Sequence, residues 1–233
     1  MMKGYVTFLF FALIFPSGLF AQVQLNSYLG AGASYVTAKN LNTSFMPVIR
    51  PNASLITTFP ITSRIAIQLG MGYTAKGYHT NQTQDLGYTK SVFLTTTNLH
   101  LLSLPLLISY KITDRNDRQF WLDGGMCYNL FLAGTTAYDF SVFDNGQQTR
   151  HDRYTYRVIG RFTPSKYGQT PNSYDVNGLD VTLRIQARYV WKRYTFLAYY
   201  EHGMYDMRAT IGDDATTSLK SRYAGIAIGY RLF

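Results

Sequence analysis

The side chains best placed to do chemistry in this chain are charges that recur at every second position. Gly178 to Val190 alternates Asp180, Thr182, Arg184, Gln186 and Arg188 with Val181, Leu183, Ile185, Ala187 and Tyr189. Arg50, Lys76, Asp123 and Glu201 hold the same polar parity in their own stretches. Extended backbone sends successive side chains to opposite faces. Arg50, Lys76, Asp123, Asp180, Arg184, Arg188 and Glu201 are therefore expected to share one face of a sheet. If that face is enclosed, acids and bases must pair, because an isolated charge removed from water is very costly. The expected outcome is a salt-bridged plug; the competing one is a gated ion path or a small-ligand site.

A second candidate lies in RYTYRVIGRF at 153–162. Arg153, Arg157 and Arg161 share one parity; Tyr154, Tyr156, Val158 and Phe162 share the other. An extended segment would carry a basic edge, suited to phosphate or carboxylate, and an aromatic edge, suited to a protein interface. The bland alternative is a hairpin that prolongs the flanking strands.

Catalytic signatures are poor. His100 and Ser103 are three apart and face opposite ways on a regular strand. His202 has no serine on its parity, and His151-Asp152 has no obvious nucleophile beside it. There is no G-x-S-x-G, phosphate loop or metal-ligand spacing. Cys127 is the sole cysteine, which excludes an internal disulfide and reads as a buried small hydrophobe. No catalytic residue, metal ligand or cofactor is assigned.

Eight strands are expected to position these groups: about 23–37, 45–59, 64–78, 95–112, 119–134, 178–190, 194–207 and 221–233. Pro105 in the fourth cannot donate to a ladder and predicts a bulge or local break. Short connections follow the second, fourth and sixth strands. Longer ones, near 38–44, 79–94, 135–177 and 208–218, alternate with them. Short turns alternating with long loops are the pattern of an outer-membrane barrel, with long loops external and both mature ends periplasmic. A soluble eight-stranded barrel competes, but it would put its greasy parity inside.

The ends and the composition agree with the membrane reading. Lys3, the apolar run Val6 to Phe15 and the break at Pro16-Ser17-Gly18 resemble a signal peptide, with cleavage after Ala21. This leaves 22–233 as one barrel domain. The chain has 20 Tyr, 15 Phe and 19 Gly against 13 acidic residues, and a mean hydropathy of −0.10. Only every second residue of a membrane strand faces lipid, so near-neutral hydropathy fits. A net charge of +9 on an exported chain points to lipopolysaccharide phosphates, anionic glycans or an acidic partner rather than nucleic acid.

The closing stretch SRYAGIAIGYRLF at 221–233 is the clearest alternation. Ala224, Ile226, Ile228, Tyr230 and Leu232 fall on one face; Ser221, Tyr223, Gly225, Ala227, Gly229 and Arg231 fall on the other. With LGMGYTAKGY at 69–78, SLPLLISYK at 103–111 and YYEHGMYDM at 199–207, it resembles the PorT-like eight-stranded outer-membrane barrels of the Bacteroidota. The resemblance covers the mature chain. It implies a porin-like all-β transmembrane barrel, recognition of Tyr230, Leu232 and Phe233 by the barrel-assembly machinery, and a link to type IX protein secretion. These ends differ from the family's usual Tyr-x-Phe, since Arg231 and Leu232 separate Tyr230 from Phe233.

The expected function is that of a non-catalytic structural or adaptor barrel in the outer membrane. It would contact lipid, lipopolysaccharide and an envelope or secretion protein. A narrow channel or ligand-binding barrel is the alternative, and a lipid-modifying enzyme the third.

Overall fold

The computed structural model describes residues 23–39, 44–85, 87–161, 173–207 and 218–233. The expected signal peptide, most of the 38–44 and 208–218 connections, and Phe162 lie outside the described residues. Eleven strands are formed among the described ones: β1 (Gln24–Lys39), β2 (Ser44–Met46), β3 (Val48–Pro60), β4 (Ile65–Asp85), β5 (Thr89–Arg115), β6 (Arg118–Asp144), β7 (Gln147–Arg161), β8 (Ser173–Asn177), β9 (Leu179–Trp191), β10 (Tyr194–Gly203) and β11 (Ser218–Arg231).

Eight of them close an antiparallel ring in the order β1, β3, β4, β5, β6, β9, β10, β11. The seam pairs β11 with β1 from Asn26 opposite Arg231 to Lys39 opposite Ser218. Short turns join β3 to β4, β5 to β6 and β9 to β10. Asn116 and Asp117 both have positive φ, 45° and 63°, as a type I′ hairpin turn requires.

The expected alternation holds, and its direction excludes a water-soluble barrel. The greasy parity points outward: Ile49 is 77% exposed, Leu29 71% and Ile226 70%. The charged parity points inward: Lys76 is 1% exposed and Glu201 0%. A wall that is apolar outside and ionic inside is one solvated by lipid. Outward Tyr110, Tyr189, Tyr194 and Tyr230, with Trp191, ring the short-turn end, where an amphipathic ring suits the bilayer interface.

Inside, glycine makes room for aromatic rings. A Cβ on Gly225 would come within 2.8 Å of the Tyr199 ring, and one on Gly229 within 2.5 Å of Tyr28. Pro105 interrupts the ladder as expected, though only on one side. It stays opposite Cys127 of β6, whereas the β4–β5 pairing skips from Leu69–Leu106 to Gly72–Ser103 without changing register. The register shifts of β5 against β6 fall elsewhere, at His100/Leu101 and Lys111/Thr113.

The connections expected at 79–94 and 135–177 are largely strand. β5 and β6 run for 27 residues each, against about 9–11 needed to cross a bilayer. They stay paired to their far ends, where Thr89 faces Asp144. β7 folds back on β6 through Asn145 and Gly146, both at positive φ. β8 lies parallel to β7 and leads into β9. A sheet made by β4, β5, β6 and β7 thus stands beyond the long-hairpin end of the barrel.

Ile226→Arg is expected to cost about 2–4 kcal/mol if Ile226 lies near the bilayer midplane, less toward an interface. Urea unfolding in lipid vesicles measures it. An Arg tolerated at this position without loss would contradict the lipid-facing assignment.

Candidate functional site

The inward parity of β4, β9, β10 and β11 builds one ionic cluster. Lys76 Nζ reaches Asp180 Oδ2 and Glu201 Oε2, each at 2.9 Å. Arg184 lies opposite Glu201 across the β9–β10 ladder and donates from Nε to Glu201 Oε1 at 3.0 Å, with a second donation from Nη2 to the same oxygen. Ser221 Oγ contacts both oxygens of Asp180, at 3.1 and 2.9 Å. The Arg184 guanidinium also lies 4.6 Å from the centroid of the Tyr199 ring, which stacks on Tyr223 at 5.7 Å.

A second cluster sits closer to the short turns. Arg188 donates from Nε and Nη2 to the two oxygens of Asp123, each at 3.2 Å. This is the fork-on-carboxylate geometry that favours arginine. Gln186 Nε2 adds a bond of 2.8 Å to Asp123, and Gln68 donates to Ser109 Oγ at 2.6 Å beside it. Trp121 covers Arg188 with its centroid 5.0 Å away.

Six of the seven residues assigned to the lumen network are therefore brought into ion pairs, in two clusters. Arg50 is not. It is half-buried, and its hydrogen bonds go to Asn98 Oδ1 and the carbonyl of Ile49. Arg50 lies opposite Gly32 on β1, past the last β3–β4 pair at Asn52, and its partner Asn98 alternates with the buried Thr97 and Leu99 of β5. Between the clusters, a gap bordered by Tyr28, Asn52, Arg184 and Tyr199 measures about 10 Å³, about one water. Toward the long-hairpin end, Leu99, Leu101, Val158 and Val176 pack with Phe131 and Met207. Paired charge and apolar packing fill the bore at these levels.

The basic segment has the expected parity. Arg153 and Arg157 point outward from β7, with Arg153 opposite Asp139 in the register. Tyr156 turns inward, edge-on to Tyr138 with centroids 5.4 Å apart. Tyr154 is half-exposed on that same side, and Arg161 is partly buried where β7 meets β8. At the other end, Tyr230 packs edge-on to Tyr194 at 5.6 Å. Leu232 and Phe233 are exposed beside it.

His151 corrects an expectation, because a serine does lie beside it. Its Nδ1 is 3.1 Å from Ser141 Oγ and 3.3 Å from Asp139 Oδ1. Both contacts use one ring nitrogen, whereas a nucleophile relay needs serine and carboxylate on opposite nitrogens. His100 and Ser103 diverge as expected: His100 meets Tyr73 on the outer face, while Ser103 is buried in the lumen. Cys127 is fully buried. Among the described residues, no group of three or more His, Cys, Asp or Glu could hold a metal.

Sequence reasoning missed three kinds of participant. Gln68, Ser109 and Ser221 complete the clusters, and their inward parity was the available signal. Ser141 and Asp139 meet His151 because Asn145-Gly146 forms a hairpin, and Asn-Gly is the strongest short-range mark of one. The partly buried Arg231 was on the inward parity, but its surroundings depend on the seam.

A family model described as an outer membrane protein beta-barrel domain matches residues 20–209. No curated protein sequence matches. Among solved structures, the chain is similar to Ail, the attachment invasion locus protein of Yersinia pestis, at 10% identity and a TM-score of 0.35, covering 90% of this chain and 98% of that one. It is similar to Neisserial surface protein A at 9% identity and TM-score 0.35, covering 88% and 96%. It is similar to OprG of Pseudomonas aeruginosa at 10% identity and TM-score 0.35, covering 89% and 95%.

Glu201→Gln removes the carboxylate shared by Lys76 and Arg184, and breaking a buried pair in this way is expected to cost about 3–5 kcal/mol. The readout is the temperature at which the compact band disappears in a detergent gel; an unchanged temperature would contradict the network. Asp123→Leu alone should destabilise more than Asp123→Leu combined with Arg188→Met, because the double variant leaves no stranded guanidinium. Equal losses would show that the two groups are not energetically coupled.

Proposed function

The chain belongs to the outer membrane protein beta-barrel domain family, and from that premise we propose that it is a closed, non-catalytic adaptor. Its ionic lumen holds the wall in shape, and the sheet standing beyond the membrane engages another envelope component. One observation carries this reading: β5 and β6 are 27 residues long, and more than half of each exceeds what a bilayer needs. A connector would not need so much ordered sheet. The outward arginines of β7, Arg153 and Arg157, supply charge for an acidic partner or lipopolysaccharide phosphates. Tyr154, half-exposed, supplies an aromatic anchor, with Tyr156 packed on Tyr138 behind it.

In this reading the short turns and both mature ends face the periplasm, and the long hairpins face outside. Tyr230, Leu232 and Phe233 form the signal read by the assembly machinery. The PorT-like likeness of the strand segments offers type IX secretion as the pathway. Against catalysis stands the geometry of His151, whose serine and carboxylate contacts share one nitrogen.

Purification from the native outer membrane in mild detergent, followed by mass spectrometry, tests the adaptor role. A near-stoichiometric partner is expected with the wild type and not with Arg153→Glu/Arg157→Glu. Recovery of the barrel alone from both would overturn it. In planar bilayers the wild type is expected to show no discrete openings; conductance that changes with Arg184→Gln would favour the channel instead.

A further inference from the structure

At the short-turn end the lumen widens into a cavity of about 400 Å³, bordered by Gln24, Thr58, Lys111, Trp121, Arg188 and Arg231. That volume is in the range of small-molecule sites. Three of these six residues are cations, and they differ in how they are satisfied. Arg188 is held by Asp123. Lys111 is held at the rim by Asp114 at 2.7 Å.

Arg231 differs: its Nε is buried and makes no hydrogen bond among the described residues. Thr58 Oγ1 and Asn26 Nδ2 are likewise buried and without a partner. The three sit on adjacent strands. Asn26 lies opposite Arg231 across the β11–β1 seam, and opposite Ile56 on β3, one inward position from Thr58. Asn26 and Thr58 are 2% and 4% exposed.

A buried donor left unpaired is costly, and two of these three residues, Arg231 and Thr58, border the cavity, where an acceptor could reach them. Water could occupy the space, but it brings no charge to offset Arg231 facing the same cavity as Arg188. Asp123, the nearest inward carboxylate of β6, is already taken by Arg188 and Gln186. An incoming anion satisfies both requirements at once.

We propose that this mouth is a binding site for a small oxyanion, a phosphate or carboxylate group, gripped by Arg231 with Thr58 and flanked by Lys111. The site opens on the end that the proposed orientation places in the periplasm. It does not depend on the adaptor reading.

Trp121 borders the cavity and is one of only two tryptophans, so Trp191→Phe gives a single reporter inside the site. The full chain in octyl glucoside is titrated with sodium phosphate, and separately with sodium acetate, at constant ionic strength against chloride. A saturable change in Trp121 emission is expected with at least one of them. Arg231→Gln should weaken it about tenfold, the loss of one hydrogen bond from a charged group. Arg193→Gln, in the nearby turn, should leave it unchanged. A response to phosphate alone assigns a phosphate ligand and a response to acetate alone a carboxylate, and both support the site. No saturable response to either, or unaltered affinity in Arg231→Gln, overturns it. If Arg231→Gln does not give the compact band on a gel, Thr58→Val replaces it, and unaltered affinity there overturns the proposal equally.

Discussion

Hydrocarbon offers the backbone no hydrogen-bond partner, so every strand that enters it must be bonded on both sides. That requirement closes β11 onto β1, and the interior follows from the closure. A ring of eight strands encloses a space that side chains just fill. There is no bulk water in such a bore to solvate a charge. Lys76, Arg184 and Arg188 are therefore matched by Asp180, Glu201 and Asp123. The same shortage of space sets glycine against tyrosine, with Gly225 beneath Tyr199 and Gly229 beneath Tyr28.

Beyond the bilayer the constraint is relaxed, and the architecture changes with it. The wall between β6 and β9 opens to admit β7 and β8, and β8 pairs parallel to β7. Parallel neighbours cannot be joined by a tight hairpin, and β7 and β8 are accordingly well separated in sequence, ending at Arg161 and beginning at Ser173. The free side of β7 carries Arg150, His151, Asp152 and Arg153, and charge on an exposed edge discourages unwanted pairing with other strands. Part of it is already committed within the hairpin, as in the Arg150–Asp152 pair.

Parity was legible because a membrane wall enforces it over the whole length of a strand. The inward charges of β9 and the outward isoleucines of β11 could be read directly. Partnership was not legible, since parity gives a side chain's face but not its height. Arg50 had the inward parity, yet it lies past the last β3–β4 pair and meets Asn98. The long connection at 135–177 could be read as a loop or as a hairpin that prolongs the flanking strands, and the pairing of β7 with β6 is the hairpin. Its strand character comes from pairing with β6, and Asn145-Gly146 was the local sign of it. The orphaned donors at the short-turn mouth depend on three strands meeting at one level, two of them at opposite ends of the chain.

The seam has a kinetic consequence. Its partners are the first and last strands of the ring, and Lys76 must wait for Asp180, 104 residues later. Contacts of such long range slow folding, because chain must be brought together before any of it is rewarded. Until the ring closes, Lys76 of β4 stands apart from Asp180 and Glu201 of β9 and β10, and two strand edges lie open. The seam and the lumen-spanning pairs are thus unavailable while the barrel forms, and the open intermediate is the state most exposed to aggregation. For this molecule, the time spent unclosed is set by how quickly β11 reaches β1.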